Sequence, residues 1–214
     1  MTLTTVVFDL GETLVDETPL WQGWADYLGV PAFTLFGVLG GLVARGQDHQ
    51  DFLQAFRPGA DWATTRDAKE EQLPWGAGEA LLYPDVLACL GQLRRDGWRI
   101  VVGGNQPAAF QRAVELLDLP VDVVTSSAEL GIAKPAPGFY AAIAARAAAE
   151  PEECVHVGDR VDNDVVGASG AGMTAIHVVR GPWGHLFADD PAIGHQVRSL
   201  DALPALLASL RSSS

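Results

Sequence analysis

The chain has 214 residues, nearly half of them apolar, with 27 acidic against 14 basic side chains and a formal net charge of −13. This length suits one α/β domain with a modest insertion, and the charge argues against nonspecific binding to nucleic acid or to an anionic membrane. No apolar stretch approaches the roughly 20 residues of a membrane span, Met1–Thr5 lacks the regions of a signal peptide, and Cys89 and Cys154 stand alone, so a cytoplasmic protein with two buried thiols is expected.

The first strand-like run is Thr5–Asp9, and its last residue leads directly into Leu10-Gly11-Glu12-Thr13-Leu14. Strand–helix alternation then breaks. From Asp16 to Leu82 the pattern is helical, at Leu20–Leu28, Ala32–Arg45, Gln50–Phe56 and Thr64–Gln72, and the stretch carries Trp21, Trp24, Trp62 and Trp75. Strand-like runs resume at Arg99–Gly103, Val121–Thr125, Val155–Gly158 and Ala175–Val179, short and rich in Val and Ile, as suits strands buried on both faces of a parallel sheet. Helices are expected at Asp85–Asp96, Pro107–Leu117, Gly138–Ala149, Asn163–Ser169 and Leu200–Leu210, a frayed end at Ser212–Ser214, and a rim loop at Gly181–His185. The pattern predicts an α/β, Rossmann-like, doubly wound parallel sheet with helices on both faces, built from residues 1–15 and 83–214, with a helical subdomain over 16–82.

Asp9 stands where open α/β sheets place reacting groups, at the carboxyl end of a buried strand before a tight turn. A rigidly held carboxylate there is a candidate nucleophile and a ligand for a hard cation such as Mg²⁺. Gly158-Asp159-Arg160-Val161-Asp162-Asn163-Asp164 gathers carboxylates in one short loop, and a divalent cation relieves their repulsion. Asp159 lies nearest the strand end and is the best candidate ligand. Asp164 reads as a ligand, a supporting acceptor or an anchor for Lys134; Asn163 or Asp162 is expected to open the next helix. Lys134, stiffened by Pro135 and Pro137, is a candidate clamp for phosphate. Asn105, with Gly104 before it, offers a backbone N–H and an amide to an oxyanion. His156 and His177 lie inside strand-like runs and read as core packing. Trp21 and Trp24 read as packing within the helical segment or as specificity residues.

Phe8-Asp9-Leu10-Gly11-Glu12-Thr13-Leu14, Gly104-Asn105, Lys134-Pro135 and Gly158-Asp159 with Asn163-Asp164, in that order, resemble the motifs of the haloacid dehalogenase superfamily of hydrolases. The resemblance implies a Mg²⁺-dependent phosphatase acting on a small phosphorylated substrate through an aspartyl-phosphate, with the helical insertion as a cap. It makes Asp9 nucleophile and metal ligand, gives the metal the Gly11 carbonyl and Asp159, and lets Lys134 balance the charge. Three positions depart from the pattern. Gly11 stands where the family's phosphatases carry a second Asp, the general acid and base, whose loss costs about 10²–10⁴ in rate. Glu12, in place of the usual Gly, is a possible replacement acid. Gly104 replaces a Ser or Thr. The alternatives are a metal-independent dehalogenase-like hydrolase and a non-catalytic binder of a phosphate ligand.

Overall fold

The computed structural model describes residues 2–72, 82–107, 114, 117 and 119–213. The chain forms two compact units, Met1–Asp16 with Leu82–Ser214, and Glu17–Leu81.

The first unit is a sheet of six strands: β1 Thr5–Phe8, β2 Arg99–Gly104, β3 Val123–Ser126, β4 Cys154–Gly158, β5 Thr174–Val178 and β6 Gln196–Val197. All pair in parallel in the order β3-β2-β1-β4-β5-β6. Parallel pairing needs helical crossovers, and these cover both faces. Val6, Val7, Phe8, Ile100, Val101, Val155, Val157, Ile176 and Val178 are accordingly fully buried, without the alternation of a one-sided sheet. Helix Val86–Arg95 buries Val86, Cys89, Leu90 and Leu93, spaced i, i+3, i+4 and i+7, so one stripe faces the sheet. Helix Pro137–Arg146 starts on a proline and buries Phe139, Tyr140, Ile143 and Ala144. Gly103 makes room for that helix, because a Cβ there would overlap the Ile143 side chain.

Two expectations change, and one strand, β6, was not expected. The segment from Gly181 is a helix, Gly181–Leu186, with Pro182 in its first turn, where a missing N–H costs nothing. The last helix, Leu203–Ser213, continues to Ser213; Ser212 and Ser213 bond back to the carbonyls of Ala208 and Ser209, and Arg211 stacks 3.5 Å from the centre of the Trp98 ring. β6 is too short to leave a periodic signal. The expected helix Pro107–Leu117 falls largely outside the described residues, as does Trp75. Cys89 and Cys154 are buried free thiols, pushed up by burial to about 12 and about 11.

The second unit holds helices Thr18–Leu28, Ala32–Ala44, Phe52–Phe56 and Trp62–Gln72, with no strand among its described residues. Trp24 stacks on Trp62 with 5.1 Å between ring centroids, and both Trp24 and Trp21 meet Phe52 edge to face. Trp21 and Trp24 are buried in this cluster. Among the described residues, no single helix is long and apolar enough to cross a membrane.

The sheet places the chemistry. β1 lies between β2 and β4, where the strand order reverses, and such a switch point opens a crevice at the carboxyl ends. Phe8 registers with Val102 of β2 and Val157 of β4, so Asp9 emerges beside the ends of both neighbours. The Asp9 N–H donates to the Val157 carbonyl at 2.8 Å, which fixes its backbone.

Candidate active site

Asp9, Asp159 and Asp164 are all buried, and one carboxylate oxygen from each lies within 4.8 Å of the others. Lys134 enters from the turn between helix Ser127–Leu130 and helix Pro137–Arg146. Its Nζ donates to Asp9 Oδ1 and to Asp164 Oδ1, both at 2.6 Å. These are charge-assisted bonds at the short end of their range, between groups removed from water. The four side chains come from loops after β1, β3 and β4 and from opposite ends of the sequence, so only the sheet brings them together.

The turn carrying Lys134 is itself held. The Asn105 side chain donates to the Lys134 carbonyl at 2.9 Å and accepts from the Lys134 N–H at 2.8 Å. That amide positions the lysine with its carbonyl oxygen and one of its two N–H donors. Gly104, one residue earlier, lies against the nucleophile: a Cβ there would sit 2.6 Å from Asp9 Oδ1. The loss of a hydroxyl at this position and the placement of the Asp9 carboxylate therefore go together.

Asp164 is the most constrained of the acids. Its Oδ1 accepts from Lys134 and pairs with His156 Nε2 at 3.0 Å, while Oδ2 accepts from the Arg160 N–H at 3.0 Å. It rides on a wide π-helical turn, Val161–Gly167, whose Asn163 carbonyl is tied down by the Tyr140 hydroxyl. Such turns displace side chains from the regular helical positions and are frequent at functional sites. Gly158 makes the approach possible, because a Cβ there would overlap the Asp164 carboxylate. The expected outcome for Gly158→Ala is a destabilisation of about 1–3 kcal/mol by overpacking, measured by denaturant melts. Lys134 would lose part of its anchor at the same time.

The electrostatics follow from burial and pairing. Burial pushes the Asp9 carboxyl above the usual carboxylate range, with Lys134 opposing and the Asp164 charge adding to the rise. Burial acts on Asp164 in the same sense, but Lys134 and His156 outweigh it and hold that carboxyl well below the usual range. Burial alone would depress Lys134, yet Asp164 and Asp9 hold its ammonium above its ordinary value. The site is thus built to keep Lys134 and Asp164 charged, with two further carboxyl groups, Asp9 and Asp159, gathered beside them.

Glu12 occupies a different part of the loop. Its backbone is left-handed, with φ of 52°, a conformation that favours glycine. Its buried carboxylate accepts a 2.5 Å hydrogen bond from the Tyr83 hydroxyl. It is not among the carboxylates grouped with Asp9. Gly11 forms a bridge with Val15, and Val15 forms one with Leu82.

Three features lay outside the sequence reading. His156, expected as core packing, is fully buried but bonded to Asp164. Tyr140 locks the π turn. A buried Arg180 pairs with Asp85, donates to the Thr13 carbonyl at 2.6 Å and lies 4.2 Å from the centre of the Tyr83 ring. Spacing of His156 from Gly158, two residues along one strand and so on one face, was the available signal for the first. The others depend on partners far apart in the chain.

A doubly wound sheet with a carboxylate at its switch point, facing a lysine and two further acids, defines an α/β enzyme whose chemistry sits at the strand ends. The family model of haloacid dehalogenase-like hydrolases matches residues 3–172, and the chain belongs to that family. It is similar to a glyceraldehyde 3-phosphate phosphatase of Methanopyrus kandleri, 36% identical over 104 residues, 47% of this chain and 45% of the relative. The chain matches about half the length of such curated relatives. Among solved structures it resembles a 2-haloacid dehalogenase of Pseudomonas syringae, with TM-score 0.64 and 25% identity over 97% of this chain and 99% of the other. A phosphatase of the same family from Thermococcus onnurineus shares the fold, with TM-score 0.64 and 22% identity over 96% and 98% of the two chains.

Proposed function

We propose that the protein is a Mg²⁺-dependent phosphatase of small phosphorylated metabolites, with Asp9 as the nucleophile and an aspartyl-phosphate as intermediate. One observation carries this reading: three buried acids lie within one small volume, and the lysine there pairs with two of them, Asp9 and Asp164. Such a cluster is short of positive charge, and a hard cation held by carboxylates, with phosphate oxygens completing its shell, is the chemistry that relieves it.

The donor set fits Mg²⁺. Both Asp164 oxygens are committed within the protein. Asp9, through the oxygen that Lys134 does not bind, and Asp159 would hold the ion, together with the Gly11 carbonyl. When bound, the cation would neutralise phosphoryl oxygens and fix one of them relative to Asp9. The remaining work falls to the chain. Asp9 attacks phosphorus in line from a backbone fixed by the sheet. Lys134, held by Asn105 and Asp164, stabilises the charge spread over the equatorial oxygens. Asp164 and His156 keep Lys134 aimed between nucleophile and phosphoryl group.

A panel of phosphate compounds assayed with Mg²⁺ and with a chelator tests the reading. Turnover is expected with the cation alone. The metal-independent dehalogenase reading predicts halide release from a 2-haloacid in the chelator, and its support is the likeness to the Pseudomonas syringae enzyme. Gathered carboxylates favour the phosphatase over it. Calorimetric titration gives a second check: Asp159→Asn is expected to weaken Mg²⁺ binding at least about tenfold. Equal affinity in the variant would remove Asp159 from the site.

A further inference from the structure

We propose that this site cleaves acyl phosphates, mixed anhydrides whose leaving group is a carboxylate, and that Glu12 positions the catalytic loop instead of giving a proton to the leaving group. The inference rests on the phosphatase reading above and narrows its substrate.

An oxygen leaving from an alkyl phosphate departs as an alkoxide unless an acid protonates it. Among the described residues, Lys134 bonds Asp9, and the acids grouped with Asp9 are Asp164 and Asp159, the second assigned above to the cation. Gly11 has no side chain. Lys134 is shared between Asp9 and Asp164, and the two oxygens of Asp164 take Lys134, His156 and the Arg160 N–H. His156 is fully buried behind Asp164. Of the further acids between β1 and helix Thr18–Leu28, which are Glu12, Asp16 and Glu17, Glu12 is the one next to Gly11, and its setting is that of a clasp. Tyr83 binds its carboxylate at 2.5 Å, and its Cβ, Cγ and Cδ pack so closely on Gly181 that any side chain there would overlap them.

The clasp extends beyond this pair. Arg180, next to Gly181, covers the Tyr83 ring and binds the Thr13 carbonyl. It also pairs with Asp85, which takes the Ser199 hydroxyl and the Leu200 N–H at 2.8 Å each. The chain leaves the first unit after Asp16 and returns at Leu82. Glu12, Tyr83, Arg180 and Asp85 therefore fasten both crossings to the loop that bears Gly11. Holding Glu12 in a left-handed backbone costs on the order of 1 kcal/mol, and this set of contacts is what offsets it.

The two half-reactions then become alike. An Asp9 oxygen attacks phosphorus, the bond from phosphorus to the acyl oxygen breaks, and its electron pair leaves on the substrate's carboxylate. No proton moves. Water next attacks the phosphorus of the aspartyl-phosphate, itself an acyl phosphate; the bond to Asp9 breaks, and the Asp9 carboxylate is restored. Both water protons end on the released phosphate as H₂PO₄⁻. Phosphate passes from one carboxylate to another and then to water, so neither departure needs an acid.

The test is the dependence of kcat/KM on leaving group with Mg²⁺ present, using acetyl phosphate, a series of substituted phenyl phosphates and an alkyl phosphate such as glycerol phosphate. Acetyl phosphate is expected to exceed the alkyl phosphate by at least about 10³-fold, with the phenyl series falling steadily as leaving-group pKa rises. Glu12→Gln keeps an acceptor for Tyr83 and should lower all these substrates by a common factor; Glu12→Ala should lower them further, again in parallel. An alkyl phosphate turned over within tenfold of acetyl phosphate would overturn the proposal. So would a Glu12→Gln variant that loses poor leaving groups and spares good ones, the signature of an acid. Failure of every substrate, acetyl phosphate included, would sink the phosphatase reading and this inference with it.

Discussion

Asp9→Asn is expected to abolish turnover, by at least about 10⁴-fold, with the circular dichroism spectrum unchanged. An amide matches the shape of the carboxylate and can still accept from Lys134 through Oδ1, so the sheet and the loop should persist. It cannot attack phosphorus to give a stable acyl phosphate. The rate loss therefore separates chemistry from folding, and kcat should fall while phosphate-product binding is kept. Turnover near that of the unmodified chain would remove Asp9 from the nucleophilic role.

Lys134→Met is expected to damage stability and activity together. It leaves Asp9 and Asp164 buried without their shared cation, and breaking a buried ion pair from one side costs about 3–5 kcal/mol. For a chain of this size that corresponds to a fall in Tm of roughly 6–20 °C. Loss of a positioned charge at the phosphoryl oxygens should also lower kcat by about 10²-fold or more. Mg²⁺ should raise the Tm of this variant more than that of the parent, since it supplies the missing charge. The pH dependence has a definite sign. Asp164 is depressed in the folded chain, so its contribution is complete above the unfolded carboxylate value of about 3.9 and is lost as pH falls through the lower folded value. Lys134 is raised, so its contribution is complete below the unfolded value of about 10.4 and is lost as pH climbs through the higher folded value. Lys134→Met should therefore show a weaker acid-side loss of stability than the parent, checked by thermal melts from about pH 5 down to about pH 1.

The sheet was legible because strands buried on both faces leave unbroken runs of Val and Ile, and because β1, β2 and β4 each end on a polar or glycine cluster. Asp9, Lys134, Asp159 and Asp164 could be picked out by type and order, and the fold brings them to one place. Other parts of the site had no local signature. The pairing of Glu12 with Tyr83 joins positions 71 apart, and no periodicity encodes it. His156 looks like any other residue of a fully buried strand, since such strands hide which face a polar group serves. The side chain of Asn105 also holds the Lys134 backbone, a bond between loops that only the β2–β3 edge brings together. Pro182 and the Ser hydroxyls near the C-terminus carried helix-compatible chemistry that a composition reading assigns to loops and tails.

The central claim is a covalent bond from Asp9 to phosphorus, and acid-quench trapping tests it most directly. The protein is mixed with acetyl phosphate and Mg²⁺, quenched within a turnover, reduced with borohydride and digested, and the peptide spanning Asp9 is weighed. Reduction of the Asp9 side chain to an alcohol, absent without substrate, is the result this account predicts. Phosphate released with the Asp9 side chain unmodified throughout, or with the reducible group on another residue, would contradict it.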